Sequence, residues 1–175
     1  MAEIRISPLN DSPQIRTALS ELLIEAVADG ASVSFMHPLS FADAETFWAG
    51  SLAAAARGER IVLGAFDGVE LVGTVTVLLA LPPNQPHRAE IAKLMTRKSH
   101  RHRGVAKALM RSAERQAVER TKTLLVLDTA SDGGASALYE GLGFILAGEI
   151  PDYALKPHGG LTGTKIYWKR LKQGS

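Results

Sequence analysis

The chain has no cysteine, which excludes disulfide bonds, thiolate metal sites and a cysteine nucleophile. It has no run of about 18 apolar residues, the length that a membrane-spanning helix requires. Its first ten residues, MAEIRISPLN, lack the apolar core of a signal peptide. Charge of one sign is not in excess either, because 20 Lys and Arg stand against 18 Asp and Glu. We therefore expect a cytoplasmic protein with no membrane or nucleic-acid partner.

What the chain does have is a composition typical of a globular protein, with 46% hydrophobic residues in 175. This length predicts a single domain spanning 1–175. Ser12-Pro13 and Ser40, with Asp43 three residues on, predict two helix starts. Asp67-Gly68 predicts a hairpin turn. Hydrophobic periodicity predicts the order β-α-α-β-β-β-α-β-α-β-β, an α/β fold, with loops expected at Ala31–Leu39 and Pro151–Gly163.

The segment Ala89–Met110 joins three features that together favour a polyanion. It reads AEIAKLMTRKSHRHRGVAKALM, an apolar strand followed by a turn and then a helical pattern. The turn contains four cations, Arg97, Lys98, Arg101 and Arg103, with no acid among them. First-turn N–H groups of a helix have no intrahelical partner, and the helix dipole adds positive charge there. A small anionic ligand is therefore expected at this turn.

Two motifs in this order resemble the GNAT acetyltransferases. Arg101–Ala106, RHRGVA, fits the pyrophosphate-binding pattern Q/R-x-x-G-x-G/A, and Ala135–Phe144, ASALYEGLGF, fits A-x-x-L-Y-x-x-x-G-F. The resemblance covers Ile61 to Arg170. It implies the GNAT fold, a mixed and mostly antiparallel sheet with flanking helices. It also implies that the strand before the turn and the strand Thr123–Thr129 splay apart, so that the coenzyme's pantetheine arm lies between them.

By the same resemblance, acetyl-CoA is the expected co-substrate, and the first motif carries its contacts. The strand before the turn is expected to offer backbone groups to pantetheine, and the turn is expected to surround the pyrophosphate. The residues concerned are Leu94, Met95, Thr96, Arg101, His102, Arg103, Gly104, Val105, Ala106 and Lys107. Arg101 and Arg103 are also candidates for the ribose phosphate, because planar guanidinium groups suit phosphate. Arg97 and Lys98 are expected to be solvated. The histidines show no metal-ligand spacing, so no metal is expected.

Acetyl transfer to an amine requires a base, oxyanion donors and an acid for the leaving thiolate. Glu90, in an A-E-I context that resembles the strand glutamate of histone-type GNATs, is one candidate base. The alternative is that it pairs structurally with Arg88 or Lys93. Asp128, at the end of an apolar strand, is the second candidate, and its alternative role is to cap the following turn.

Tyr139 is the candidate acid, because the family's motif tyrosine points its hydroxyl at the thioester sulfur. The alternative is a core aromatic residue. The resemblance assigns the oxyanion to backbone N–H near Met95. Asp132 departs from the asparagine of many relatives, which puts one coenzyme or water contact in doubt.

The expected acceptor is a small-molecule amine that receives the acetyl group directly. A closer resemblance, to the tabtoxin-resistance acetyltransferase, favours an amino-acid-like or β-lactam amine, as in toxin or antibiotic resistance. It places Phe35 and Asp152 in loops over the acceptor, with Asp152 holding an ammonium group. A protein lysine or N-terminal acceptor, an acetyl-CoA-binding sensor without turnover and a nucleic-acid-binding module remain alternatives. A monomer and a homodimer both remain open.

Overall fold

The structure is a computed structural model, and it describes residues 3–174 of the 175. The strands are β1 Arg5–Pro8, β2 Arg60–Asp67, β3 Glu70–Leu78, β4 Arg88–Thr96, β5 Leu124–Ala130, β6 Ile145–Leu155 and β7 Leu161–Arg170. The helices are α1 Pro13–Ala28, α2 Phe41–Ala56, α3 Val105–Glu119 and α4 Ser136–Gly141, with a 3₁₀ turn at Lys98–His100. No helix in this described range is both long and apolar enough to cross a membrane.

All strands form one seven-stranded sheet in the order β1-β2-β3-β4-β5-β7-β6. Every neighbouring pair is antiparallel except β4 and β5, which are parallel. Those two strands pair only at Arg88↔Leu124, Ala89↔Leu125 and Glu90↔Val126. Beyond Glu90 they separate, so the predicted α/β fold with a splayed central pair is confirmed.

Two hydrophobic clusters cover the two faces of the sheet. On one face α1 and α2 pack through fully buried side chains that include Leu19, Leu22 and Trp48. On the other face α3 packs through Leu109 and its neighbours against β2, β3 and β5. Both predicted starts of α1 and α2 are confirmed. Ser12 Oγ accepts from Ile15 N–H and Ser40 Oγ from Asp43 N–H, each at 3.1 Å.

Two predicted turns need correction. The hairpin loop between β2 and β3 is Gly68-Val69 rather than Asp67-Gly68, because Asp67 still pairs with Glu70. The expected loop 151–163 is mostly strand, since β6 continues to Leu155 and β7 begins at Leu161. Pro151 is tolerated because β6 is an edge strand, and the register shifts between Ile150 and Ala154 to absorb the extra residues.

Candidate active site

The N-terminus of α3 presents a cluster of backbone donors with no protein acceptor. The first helical hydrogen bond runs from Ala108 N–H to Gly104 O at 3.0 Å. The N–H groups of residues 102–107 donate to no acceptor within the described chain. His102 and Gly104 both have left-handed backbones, with φ of 59° and 79°. Such alternation turns successive N–H groups toward one concavity, which is the geometry of an anion-binding nest. We call residues 102–107 the N–H nest.

The cations of the turn are held by acids far away in the sequence. Asp29 binds both Lys98, at 3.2 Å, and Arg101. The Arg101 hydrogen bond, followed by that of Lys98, holds the pKa of Asp29 below its usual value. Arg103 lies 3.7 Å from Asp67. Anion binding at this turn therefore depends on the backbone N–H groups at least as much as on free side-chain charge.

Arg97 was expected to be solvated, and that prediction is wrong. Its side chain is only 17% exposed, and its Nε donates to Leu71 O at 3.2 Å. It also lies 3.5 Å from Glu21 and 3.9 Å from Glu70. Arg97 thus ties α1 and β3 to the turn that precedes the N–H nest. Lys98 is 70% exposed, as expected, although it binds Asp29.

The splay between β4 and β5 brings the two candidate bases to one face of the sheet. Glu90 is the last β4 residue that pairs with β5, and Asp128 lies two residues past its partner Val126. Side chains alternate along a strand, and Leu125 and Leu127 pack on the α3 face, so Asp128 lies on the opposite face.

Both carboxylates are held by hydrogen bonds. Glu90 Oε1 accepts from Arg88 Nη1 at 2.7 Å. This is the pairing with Arg88 that was considered as the alternative to a role as base. Asp128 Oδ2 accepts from Thr164 Oγ1 at 2.9 Å. Their other carboxylate oxygens accept from no side chain among residues 3–174, so both groups can still receive a proton or bind an ammonium group.

Tyr139 lies on α4 and is buried against Phe144 and Tyr167, with ring centroids 6.0 and 5.9 Å away. Burial, and to a smaller extent the negative charge of Asp128, raises the pKa of Tyr139 to about 12. The phenol is therefore protonated at neutral pH. Its hydroxyl makes no hydrogen bond with any residue of the described chain, which leaves the proton available for donation.

A bulge in β4 lies within the length of the strand that is splayed from β5. Thr74 pairs with Met95 and Thr76 with Ala92, so Lys93 and Leu94 together face Val75. Past Glu90 the side of β4 that faces β5 has no strand partner, and this length includes Leu94, Met95 and Thr96. These backbone groups suit an extended, amide-bearing ligand, as the resemblance implied.

Lys93 is the site residue that sequence reasoning missed. It was considered only as a partner for Glu90, yet it lies at φ 53° with its Nζ 3.4 Å from Ser34 Oγ. Burial lowers the pKa of Lys93 below its usual value. The strand pattern IAKLM carries no signal for the bulge that places it there.

The structure places the two expected acceptor-site residues in different surroundings. Phe35 packs edge-on to Phe47 at 5.1 Å, close to Lys93. Asp152 is not in a loop but in the irregular part of edge strand β6, exposed and at φ 51°.

Asp132 accepts from Thr162 Oγ1 at 2.8 Å and lies 3.3 Å from Lys156 Nζ. It therefore stabilises the β6–β7 hairpin, and these bonds hold its pKa below the usual value.

The loop between α1 and α2 crosses the sheet above the splay. It contacts Lys93 on β4 through Ser34, and His37 N–H donates to Pro157 O in the β6–β7 turn at 3.0 Å. The His37 and His158 rings lie 4.4 Å apart, and His158 Nε2 lies 2.8 Å from Ala28 O. Because β5 and β7 lie between these anchors in the sheet order, the loop spans the face that carries Asp128, whose side chain remains exposed. No cluster in the described range is arranged to hold a metal ion.

Known proteins share both the sequence pattern and the fold. A family model described as "Acetyltransferase (GNAT) family" matches residues 23–144. N-acetyltransferase 8F1 of Rattus norvegicus is 34% identical over 87 residues, 49% of this chain and 39% of that protein. The chain thus spans about two fifths of the length of the curated relatives it matches.

Solved structures resemble the whole described fold. An N-acetyltransferase from Staphylococcus aureus Mu50 has a TM-score of 0.82 at 17% identity, covering 98% of this chain and 100% of that one. The yncA protein of Salmonella typhimurium, solved with its cofactor acetyl-CoA, has a TM-score of 0.78 at 16% identity, covering 97% and 96%. At these identities the likeness concerns the fold.

Proposed function

Because the chain belongs to the GNAT acetyltransferase family, we propose that it is a single-domain, acetyl-CoA-dependent N-acetyltransferase that acetylates a small-molecule amine. The observation that carries this proposal is the N–H nest, which opens at the same end of β4 as the splay. The donors for a pyrophosphate and the unpaired backbone for the extended pantetheine arm therefore follow one another along one path.

The residues present fit acetyl-CoA. The N–H groups of His102 through Lys107 bind the pyrophosphate, and no atom lies within 4 Å of the position a Cβ would take on Gly104. Backbone at Leu94, Met95 and Thr96 binds the pantetheine amides, and the N–H near Met95 stabilises the oxyanion. Arg101 and Arg103 pair with Asp29 and Asp67, so the backbone N–H groups are the main donors to the phosphates. When bound, acetyl-CoA supplies an activated acetyl thioester.

Three side chains then carry the proton transfers. A free alkylamine has a pKa of about 10.4, so only about one in 10³ is neutral at pH 7 and a base is required. Glu90 and Asp128, on neighbouring strands of one face, accept the proton of the acceptor amine directly or through water. Tyr139, neutral at physiological pH, donates a proton to the leaving thiolate.

The loop that spans this face supports a small acceptor. A protein acceptor needs an open groove for its chain, whereas here the α1–α2 loop joins the β6–β7 turn through His37 and Pro157. The acceptor is an amino-acid-like or β-lactam amine, as in tabtoxin resistance. It contacts Phe35, with Asp152 at the hairpin edge of the site.

Two measurements test this function. Calorimetry with acetyl-CoA tests the nest, and free-thiol release against small amines, amino acids, aminoglycosides and peptides tests the transfer. We expect binding, together with thiol release for at least one class of small amine. Turnover of peptides alone would overturn the small-molecule acceptor, and absence of acetyl-CoA binding would overturn the whole proposal. Binding without release for any amine would instead indicate a sensor.

A further inference from the structure

Lys93 is a half-buried cation without a carboxylate partner. Its Nζ lies 5.6 Å from the Phe47 ring centroid and 6.0 Å from that of Phe35, besides the long contact to Ser34. It belongs to none of the ion pairs within 4.0 Å among residues 3–174. A buried charge is unfavourable unless it is paired, and aromatic faces compensate it only in part. The ammonium group therefore lacks the anion that would balance it.

The bulge explains why this ammonium lies above the splay. Regular alternation would place Lys93 beside Ile91 on the α3 face, yet its Nζ lies near Phe47 on the opposite face. The left-handed backbone of Lys93, at φ 53°, makes this change of face possible. Bulges that redirect one side chain are found preferentially next to active sites, and strained residues of this kind point to function.

Asp128 supplies the opposite charge on the same face. Its charge acts on Lys93 and opposes the effect of burial on the lysine's pKa, but the two side chains do not meet in an ion pair. Asp128 is instead held by Thr164. This face therefore carries a separated cation and anion, with the Phe35 and Phe47 rings beside the cation. A zwitterion with an apolar body matches this arrangement.

Building on the proposed function, we propose that Lys93 determines acceptor specificity by binding the carboxylate of an amino acid while Asp128 receives its ammonium group. This assignment excludes polycationic amines as preferred acceptors, because Lys93 would repel a second positive charge. A general-base role for Lys93 is the competing explanation. Carboxylate binding by Lys93 affects KM for amino acids, whereas a general base affects kcat for every acceptor.

The test compares amino acids with their own carboxamides, which lack the negative charge. Because a carboxamide also lowers the pKa of a nearby amine, rates are compared per neutral amine. The panel contains α-, β- and γ-amino acids, so that the spacing between the two charges is varied. The enzymes are the wild type, Lys93→Met, Lys93→Arg and the exposed control Lys172→Met. Met keeps the length of the lysine side chain at the same strained backbone position, and Arg keeps the charge. Thiol release gives kcat and KM, and calorimetry gives the acetyl-CoA affinity of each variant.

We expect the wild type and Lys172→Met to favour acids over amides by about 10- to 100-fold in kcat/KM, the range of one charge-assisted hydrogen bond. Lys93→Met should remove this preference by raising KM for the acids alone, and Lys93→Arg should restore part of it. Equal loss of kcat for acids and amides would overturn the inference in favour of a catalytic lysine. A preference for amides would also overturn it.

Failure of this inference is distinguishable from failure of the proposed function. Acetyl-CoA binding without release for any acid in the panel would overturn the role of Lys93 and leave the transferase proposal intact with another acceptor. Loss of acetyl-CoA binding by the wild type would overturn both.

Discussion

A carboxylate placed inside the N–H nest should weaken coenzyme binding without weakening the fold. Ala106 is the second residue of α3 and lies within the run of unpaired N–H groups. In the Ala106→Glu variant the new charge stabilises the helix N-terminus by about 0.3–1 kcal/mol. The same charge repels a bound pyrophosphate. At about 4 Å this repulsion is worth between about 1 kcal/mol in water and about 4 kcal/mol near a protein surface.

The Kd for acetyl-CoA should therefore rise by about 5-fold to 1000-fold, since about 1.4 kcal/mol corresponds to one factor of ten. The melting temperature should stay the same or rise by up to about 4 °C. Ala106→Gln is the matched control, because it adds the same bulk without the charge. The difference between the two variants should shrink as salt is added.

Isothermal calorimetry and thermal melts on the same samples provide both readouts. An unchanged Kd for Ala106→Glu would refute the location of the pyrophosphate at this helix. Equal losses for Glu and Gln would attribute the effect to bulk rather than charge. This variant is more informative than a substitution at Gly104, where φ of 79° makes any side chain strained whether or not a ligand binds there.

Three other predictions address the chemistry and the packing. Tyr139→Phe should leave the melting temperature nearly unchanged but lower kcat by about 10²- to 10⁴-fold. In the wild type, burial raises the pKa of this phenol from 10 to about 12, so ionisation disfavours the folded state. The melting temperature should therefore be unaffected by this group below pH 10 and should fall from pH 10 toward about pH 12, a loss that Tyr139→Phe removes. Glu90→Gln should spare acetyl-CoA affinity and slow turnover most where the amine is protonated; full activity at pH 7 would reject Glu90 as base. Gly73→Ala should lower stability by about 1–3 kcal/mol in denaturant titrations, because its Cβ would lie 2.9 Å from Val105 Cγ1 and 3.0 Å from Met95 O.

Local signals in the sequence predicted the elements well. Ser12 and Ser40 cap their helices through contacts three residues away, which are visible in any short window. Strand β4, Arg88–Thr96, contains the apolar strand that was predicted before the turn with four cations, because its ends are marked by polar turns. The splay came from the family resemblance and not from periodicity, and the short β4–β5 pairing confirms it.

Long-range pairing could not be predicted in the same way. Arg97 and Lys98 were expected to be solvated because no acid lies near them in sequence. In the folded chain Glu21 of α1 contacts Arg97, and Asp29, just after α1, contacts Lys98. Only the segment Pro151–Gly163 of the C-terminal hairpin was predicted as a loop, because Pro151 and several glycines suppress strand propensity. An edge strand tolerates them, and being at an edge is a property of the whole sheet.

The proposed coenzyme site is built mainly from backbone, and the proposed acceptor site from side chains. Every residue except proline has both an N–H and a C=O, so sequence indicates a backbone site only through residues that are small or left-handed, here Gly104 and Ala106. That is why a six-residue motif can indicate the coenzyme and remain silent on the acceptor. The proposed recognition of the acceptor depends on Lys93 and Asp128, whose relation is set by a bulge and a short strand pairing. We therefore expect the residues that determine acceptor choice at positions where the strand register changes, and not within the six-residue motif.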